Sequence, residues 1–279
     1  FLSPRGIMVY GMYLDERTQA GVRFAIISLP EAPVLEVLSQ GARELGLELD
    51  ALQLERFERY YRLLATSGRR AGVTSITDYE EVQRRHFLES LAVAATLLQL
   101  GVLGGASPGS ALDLGSGGGF PGLPMKILLP ALEMTLLEAS ARKSAFLRET
   151  VDALGLEGAQ VVTARAEEAA QQPAYRERFD LVVARAVAPL PALVELALPF
   201  LRVGGHLAAP KGSRASSEVK QASFALEALH GEVVGRWPLP LAGAAHSQTL
   251  VLVRKTAPTP ERYPRRAGVP AKRPLLQRK

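Results

Sequence analysis

The sequence predicts an α/β protein, a doubly wound and mostly parallel sheet of about seven strands preceded by a small helical segment. Three observations predict it. From Ser110 onward, short β-like runs alternate with helical ones. Residues 33–105 instead carry apolar residues at helical spacing. A glycine-rich loop stands where the first strand of the alternating region meets its first helix, the place where such sheets bind ligands.

Residues 1–32 show no clear period. They open on Phe1, place Met8 and Met12 in a Gly- and Arg-bearing stretch, and are read as a poorly structured extension. The apolar run 22–29 is too short and too poorly flanked for a signal peptide. Within 33–105, Val34, Leu35, Val37, Leu38 and Leu45 mark one amphipathic stretch. Leu52, Leu54, Phe57, Tyr60, Tyr61 and Leu64 mark a second, and Phe87, Leu88, Leu91, Val93 and Leu97 a third, from about Glu80 to Leu100. Ser67 to Asp78, rich in Gly and Arg, reads as a loop.

The region 106–255 is expected to form the sheet domain. Its strands are read at 111–115, 134–138, 159–164, 179–184, 205–211, 231–237 and 248–255. Helices are read after Pro121, from about Arg142 to Leu154, around Leu190–Leu201 and around Ser217–Leu229. Right-handed β-α units make the sheet mostly parallel, and the last two strands read as a hairpin-like edge pair.

Composition prunes the chemistry. The chain of 279 residues has no Cys, which removes disulfides, thiolate zinc sites, iron–sulfur clusters and Cys nucleophiles, and suits a cytoplasmic protein. No run of about 18 apolar residues exists, so no membrane span is expected. His206, His230 and His246 lack ligand spacing, and no metal site is expected. The net charge of +5 is uneven. Residues 256–279 hold Arg262, Arg265, Arg266, Lys272, Arg273, Arg278 and Lys279 against Glu261 alone, among five prolines. Proline denies this tail a helix, so it reads as an extended basic arm suited to tracking phosphates, with Tyr263 able to stack on a base.

The loop itself runs Asp113-Leu114-Gly115-Ser116-Gly117-Gly118-Gly119-Phe120-Pro121-Gly122. Gly117, Gly119 and Gly122 match the dinucleotide pattern, a weak signal alone. Asp113, Gly115, Gly117 and Gly119 match the acid-x-Gly-x-Gly-x-Gly pattern of enzymes that bind S-adenosyl-L-methionine (SAM). The second fits better, because a carboxylate at the strand end repels a pyrophosphate and attracts the ammonium of an amino acid. Glu138 ends the second strand, where a carboxylate can accept both ribose hydroxyls. Ala166 and Glu167 follow the third strand, where an adenine would lie.

With these residues assembled, the chain resembles the bacterial ribosomal small-subunit guanine-N7 methyltransferases, the glucose-inhibited division protein B family. The resemblance rests on the run 85–91 (RHFLESL), Asp113 to Pro124, Arg185-Ala186, Pro210-Lys211-Gly212, and Tyr263-Pro264-Arg265-Arg266 with Gly268-Val269-Pro270. It covers about residue 33 to the end. The family often has Asn-Leu-Thr where this chain has Gly72-Val73-Thr74, and a basic residue where it has Ser247-Gln248.

The resemblance implies a Rossmann-like SAM-dependent methyltransferase fold and methylation of N7 of guanine 527 in 16S rRNA. It implies cofactor contacts at Gly115, Phe120, Glu138 with Ala139 and Ser140, Ala166 with Glu167, and Arg185. The expected partner is 16S rRNA or the small ribosomal subunit, met by a monomer. Guanine N7 carries a lone pair and no proton, so no general base is needed and alignment is the task. Methylation at C5 of a pyrimidine would want a Cys, and exocyclic-amine methylation a Pro-Pro-aromatic element where the chain has 184–189 (ARAVAP). Arg185 and Lys211, at the ends of the fourth and fifth strands, are the candidate active-site residues, Lys211 reaching guanine O6. Expected RNA contacts are Arg85, His86, Lys211, Arg262, Arg265, Arg266, Lys272 and Arg273. The alternatives are a SAM-dependent enzyme acting on another RNA or a small molecule, a non-catalytic RNA-binding relative, and a dinucleotide oxidoreductase.

Overall fold

Seven strands in the order β3-β2-β1-β4-β5-β7-β6 build the sheet. They are β1 (Ser110–Leu114), β2 (Glu133–Glu138), β3 (Ala159–Thr163), β4 (Phe179–Val183), β5 (Leu201–Lys211), β6 (Gly231–Pro238) and β7 (Thr249–Lys255). The computed structural model describes residues 35–105, 109–241 and 247–276. The expected extension 1–32 lies outside them, as do Arg278 and Lys279, while the described residues from Val37 onward belong to one compact unit.

β1 through β5 pair in parallel, and β7 runs antiparallel to both β5 and β6. β1 and β2 are buried along nearly their whole length, as strands covered on both faces must be. β6 at the edge alternates between half-buried and exposed. The hairpin-like pair exists, but β7, the later strand, sits inside and β6 forms the edge. Order reverses between β1 and β4, and the crevice beyond their carboxyl ends is the ligand position of this topology.

Before β1 come α1 (Glu36–Glu44), α2 (Ala51–Leu63), α3 (Arg69–Ala71), α4 (Tyr79–Val82) and α5 (Glu89–Gln99). A capping box of Asp50 and Gln53 starts α2. Gln53 also donates to the carbonyls of Ile127 and Leu128, and Arg56 to those of Leu154 and Gly155. These are orphan carbonyls at the ends of α6 (Gly122–Leu128) and α7 (Ala141–Leu154), so α2 is bound across two helices of the sheet layer. Ser67–Asp78 is only partly a loop. A π-helical turn, Leu64–Gly68, carries the helix through α3 to Gly72, whose left-handed φ of 65° ends it. A second π-helical turn, Gln83–Leu88, joins α4 to α5.

After β3 come α8 (Ala166–Ala169), α9 (Leu190–Ala197), α10 (Ala215–Gln221), α11 (Ser223–Ala228) and α12 (Val269–Lys272). The helix expected to reach Leu201 stops at Ala197, then one 3-10 turn ends at Phe200, because Leu201 already begins β5. The Pro-rich tail departs from expectation. Pro270 occupies the first turn of α12, where its missing N–H costs nothing, and the tail folds back on the body.

Candidate active site

Glu138 anchors the glycine loop. Its two carboxylate oxygens accept N–H bonds from Gly117 (3.0 Å) and Ser140 (2.8 Å), while the N–H groups of Gly115 and Ser116 point to the Leu137 carbonyl. The loop is thus stitched to the end of β2. Gly115 and Gly119 have φ of 70° and 97°, backbone that favours glycine. A side chain would also collide, with Val187 2.9 Å from a Cβ on Gly115 and the Tyr60 hydroxyl 2.7 Å from one on Gly119. At Gly117 the space is open, with only the Gly115 carbonyl 3.8 Å away.

Asp113 sits deeper than expected. It is 0% exposed, so it does not offer its carboxylate to a ligand ammonium at the mouth, and that expectation is corrected. One oxygen accepts the Gly122 N–H at 3.0 Å, which fixes the start of α6, and the other has no partner. Burial pushes its pKa up to about 7, while the Gly122 N–H and the field of Arg185 pull the other way. Asp113 therefore acts on the loop by geometry, through the Gly122 N–H.

Phe120, expected to touch cofactor, has its ring enclosed. It stacks with Tyr60 (centroids 5.4 Å) and His86 (4.5 Å), and the Arg185 guanidinium lies 5.2 Å from its centroid. Tyr60 donates its hydroxyl to the Gly118 carbonyl, and burial raises its pKa well above 10. The helical segment therefore forms the back wall of the loop.

His86 is 9% exposed, held by Thr74 Oγ1 at 2.8 Å, so it faces the core and not RNA. Burial, aided by Arg185, lowers its pKa to about 4. His86 shares one buried stripe with Val82, Gln83, Phe87 and Ser90, while Arg84 and Arg85 stay exposed.

Arg185 and Lys211 reach the rim, each held by an acid. Arg185 pairs with Glu89 at 3.0 Å and donates to the Arg85 carbonyl. Lys211 pairs with Glu218 at 3.0 Å and donates to the Ala188 carbonyl at 2.7 Å. Glu218 also accepts the Leu190 N–H at 2.8 Å, capping α9. After Arg185, Ala186 adopts φ of 58°, a strained value for a residue with a Cβ.

Sequence reasoning missed Tyr60 as a loop contact, Glu89, Glu218 and Val187. Glu89 stood within the family-like stretch, and Tyr60 within an apolar periodic one. Glu218 carries no signal in the chain.

Ala139 is exposed, and Ser140 caps α7 through the Lys143 N–H. Ala166 is half-buried beside Glu167, which accepts the Gly268 N–H at 2.7 Å. Arg262, Arg266, Lys272 and Arg273 are exposed. Arg265 is not available as an RNA contact, because its guanidinium and its N–H both bind the fully buried Glu195.

SAM fits this cradle. Glu138 has no cationic partner among the described residues, so the loop carries an unneutralised carboxylate that suits a cationic ligand over a pyrophosphate, while the buried, unpartnered Asp113 oxygen lies behind it. Open space at Gly117 admits it.

A family model described as GidB, rRNA small subunit methyltransferase G, matches residues 53–236, more than half of the chain. A relative from Roseiflexus castenholzii is 46% identical over 242 residues, covering 87% of this chain and 100% of that one. Relatives from Dehalococcoides mccartyi strain CBDB1 (44% over 239 residues) and Pelotomaculum thermopropionicum (42% over 241) each cover 86% of this chain and 99% and 98% of their own. All three are named ribosomal RNA small subunit methyltransferase G. The match includes the loop, Glu138 and both rim cations, and with the strand order it leads to one conclusion: the chain belongs to the rRNA small subunit methyltransferase G family.

Proposed function

We propose that the chain transfers the methyl group of SAM to N7 of a guanine in 16S rRNA, guanine 527 by the resemblance. It does so as a cytoplasmic monomer, on the free rRNA or the small subunit, without a metal ion. Its relation to the methyltransferase G proteins over their full length carries this reading. Among the described residues no helix is long and apolar enough to cross a membrane, and no three His, Cys, Asp or Glu residues gather as metal ligands.

Bound SAM supplies an electrophilic methyl on a sulfonium. The chain orients it: Glu138 accepts the ribose hydroxyls, with Ala139 and Ser140 beside it, and Ala166 and Glu167 flank the adenine. Gly115, Gly117 and Gly119 let the backbone come close, and the Phe120 stack keeps water from the rear of the site. No proton leaves N7, so no base is required. His86, buried and neutral, serves the stack and not proton transfer.

Lys211 has three donors, of which Ala188 and Glu218 take two, leaving one for guanine O6. Arg185, held by Glu89 and set over the Phe120 ring, backs the site. Exposed Arg85, Arg262, Arg266, Lys272 and Arg273 track the RNA phosphates.

The test is transfer of labelled methyl to small subunits, naked 16S rRNA and DNA, followed by mapping of the modified base. Label at guanine N7 is expected. Label on adenine, on DNA or on protein would refute the reading.

A further inference from the structure

The connection from β3 to β4, residues 164–178, has one short helix, the four residues of α8, whose leading residue, Arg165, makes no side-chain cap. One uncapped turn is not stable alone. The tail covers this gap. Arg176 donates to the carbonyls of Thr259 (3.0 Å) and Tyr263 (2.9 Å), Gln171 donates to that of Pro264 (3.1 Å), and Tyr263 is buried in the core cluster. Glu195 then grips Arg265, and three residues on, the Gly268 N–H reaches Glu167 at 2.7 Å. Glu167 is itself buried and lies beyond the carboxyl end of β3, whose next residue, Ala164, donates to the Glu138 carbonyl.

We propose that the C-terminal tail is a clasp for the cofactor pocket. Anchored by Arg265 on Glu195, Gly268 fixes Glu167, and so holds the Ala166–Glu167 wall in place for the adenosine end of SAM. This rests on the SAM reading above and gives the tail a role apart from RNA. Glu167 is a positioning residue: its carboxylate is turned to the tail amide, in a charge-assisted bond, and the wall follows it. Because the coupling is reciprocal, SAM tightens the tail as the tail tightens SAM.

Calorimetry on the full-length chain tests it, with SAM and with 5′-methylthioadenosine, which keeps the adenosine end. Glu167→Ala removes the acceptor and is expected to weaken both ligands equally, by about tenfold. Glu167→Gln keeps an oxygen for the Gly268 N–H and stays within about threefold of the unsubstituted protein. Hydrogen exchange supplies the second readout: saturating SAM slows exchange across residues 267–272, and does not do so in Glu167→Ala. If Glu167→Ala fails to fold, Glu167→Gln and the exchange of the unsubstituted protein still decide. Glu167→Gln as weak as Glu167→Ala, unchanged affinity in both, or exchange indifferent to SAM overturns the clasp while leaving the proposed function intact. An unsubstituted protein that binds no SAM overturns both.

Discussion

Asp113→Asn isolates one buried carboxyl. Burial moves Asp113 from its ordinary 3.8 to about 7 in the folded chain. Between these values the native state holds a proton that the unfolded state has released, so stability falls as pH rises. The contribution is complete below about pH 4 and is lost as pH passes through about 7. A rise of about three pH units, at roughly 1.36 kcal/mol each, makes the ionised form cost about 4 kcal/mol. Asparagine keeps the oxygen that accepts the Gly122 N–H and does not titrate. Urea unfolding of both proteins at a series of pH values from about 4 to about 8.5 gives two stability curves, and their difference cancels every other titrating group. That difference is expected to grow from about pH 4 upward at roughly 1.36 kcal/mol per pH unit and to level off above about pH 7, about 4 kcal/mol in favour of the Asn variant. A flat difference throughout, or one that opens only below about pH 4, would refute a carboxyl held out of water behind the loop.

Four further outcomes follow from the structure. Glu138→Ala removes the acceptor for two backbone N–H groups, and hydrogen bonds to a charged group contribute about 1.5–3 kcal/mol each, so SAM affinity drops roughly tenfold or more by calorimetry; unchanged affinity would detach Glu138 from the cofactor. Glu218→Gln strips Lys211 of its counter-charge, and kcat on 16S rRNA falls about tenfold with SAM affinity retained; an equal loss in SAM affinity would place Lys211 at the cofactor instead. Replacing Arg262, Arg266, Lys272 and Arg273 by Gln flattens the salt dependence of RNA binding by about 0.7–0.9 for each phosphate no longer neutralised. Arg265→Gln instead lowers Tm, since it leaves Glu195 buried without its cation. An intact slope in the fourfold variant would remove the tail from the RNA.

The strand and helix alternation is legible in the sequence because period-2 and period-3.6 patterns are local properties of the chain. So is the loop, because a cluster of glycines beside an acid has few structural uses. Glu138 is legible for the same reason, standing at a readable strand end. The tail is not, because its charge and proline content are also local: nothing near Arg265 in sequence reveals the buried Glu195, 70 residues earlier. His86 is hidden likewise, since its basic neighbours are local in sequence whereas the Phe120 ring it stacks on comes from the distant glycine loop.

The sequence by itself determined the fold class, the cofactor loop and the family, all carried by contiguous residues whose spacing dictates backbone geometry. The tertiary structure alone decided which charges are free. Pairing in the folded chain depends on distance in space: it matched Arg185 to Glu89, Lys211 to Glu218 and Arg265 to Glu195 across 96, 7 and 70 positions. It also decided what the basic tail is. Net charge described an arm for phosphates, whereas burial of Tyr263 and Glu195 makes its inner face part of the fold and leaves only its outer cations exposed.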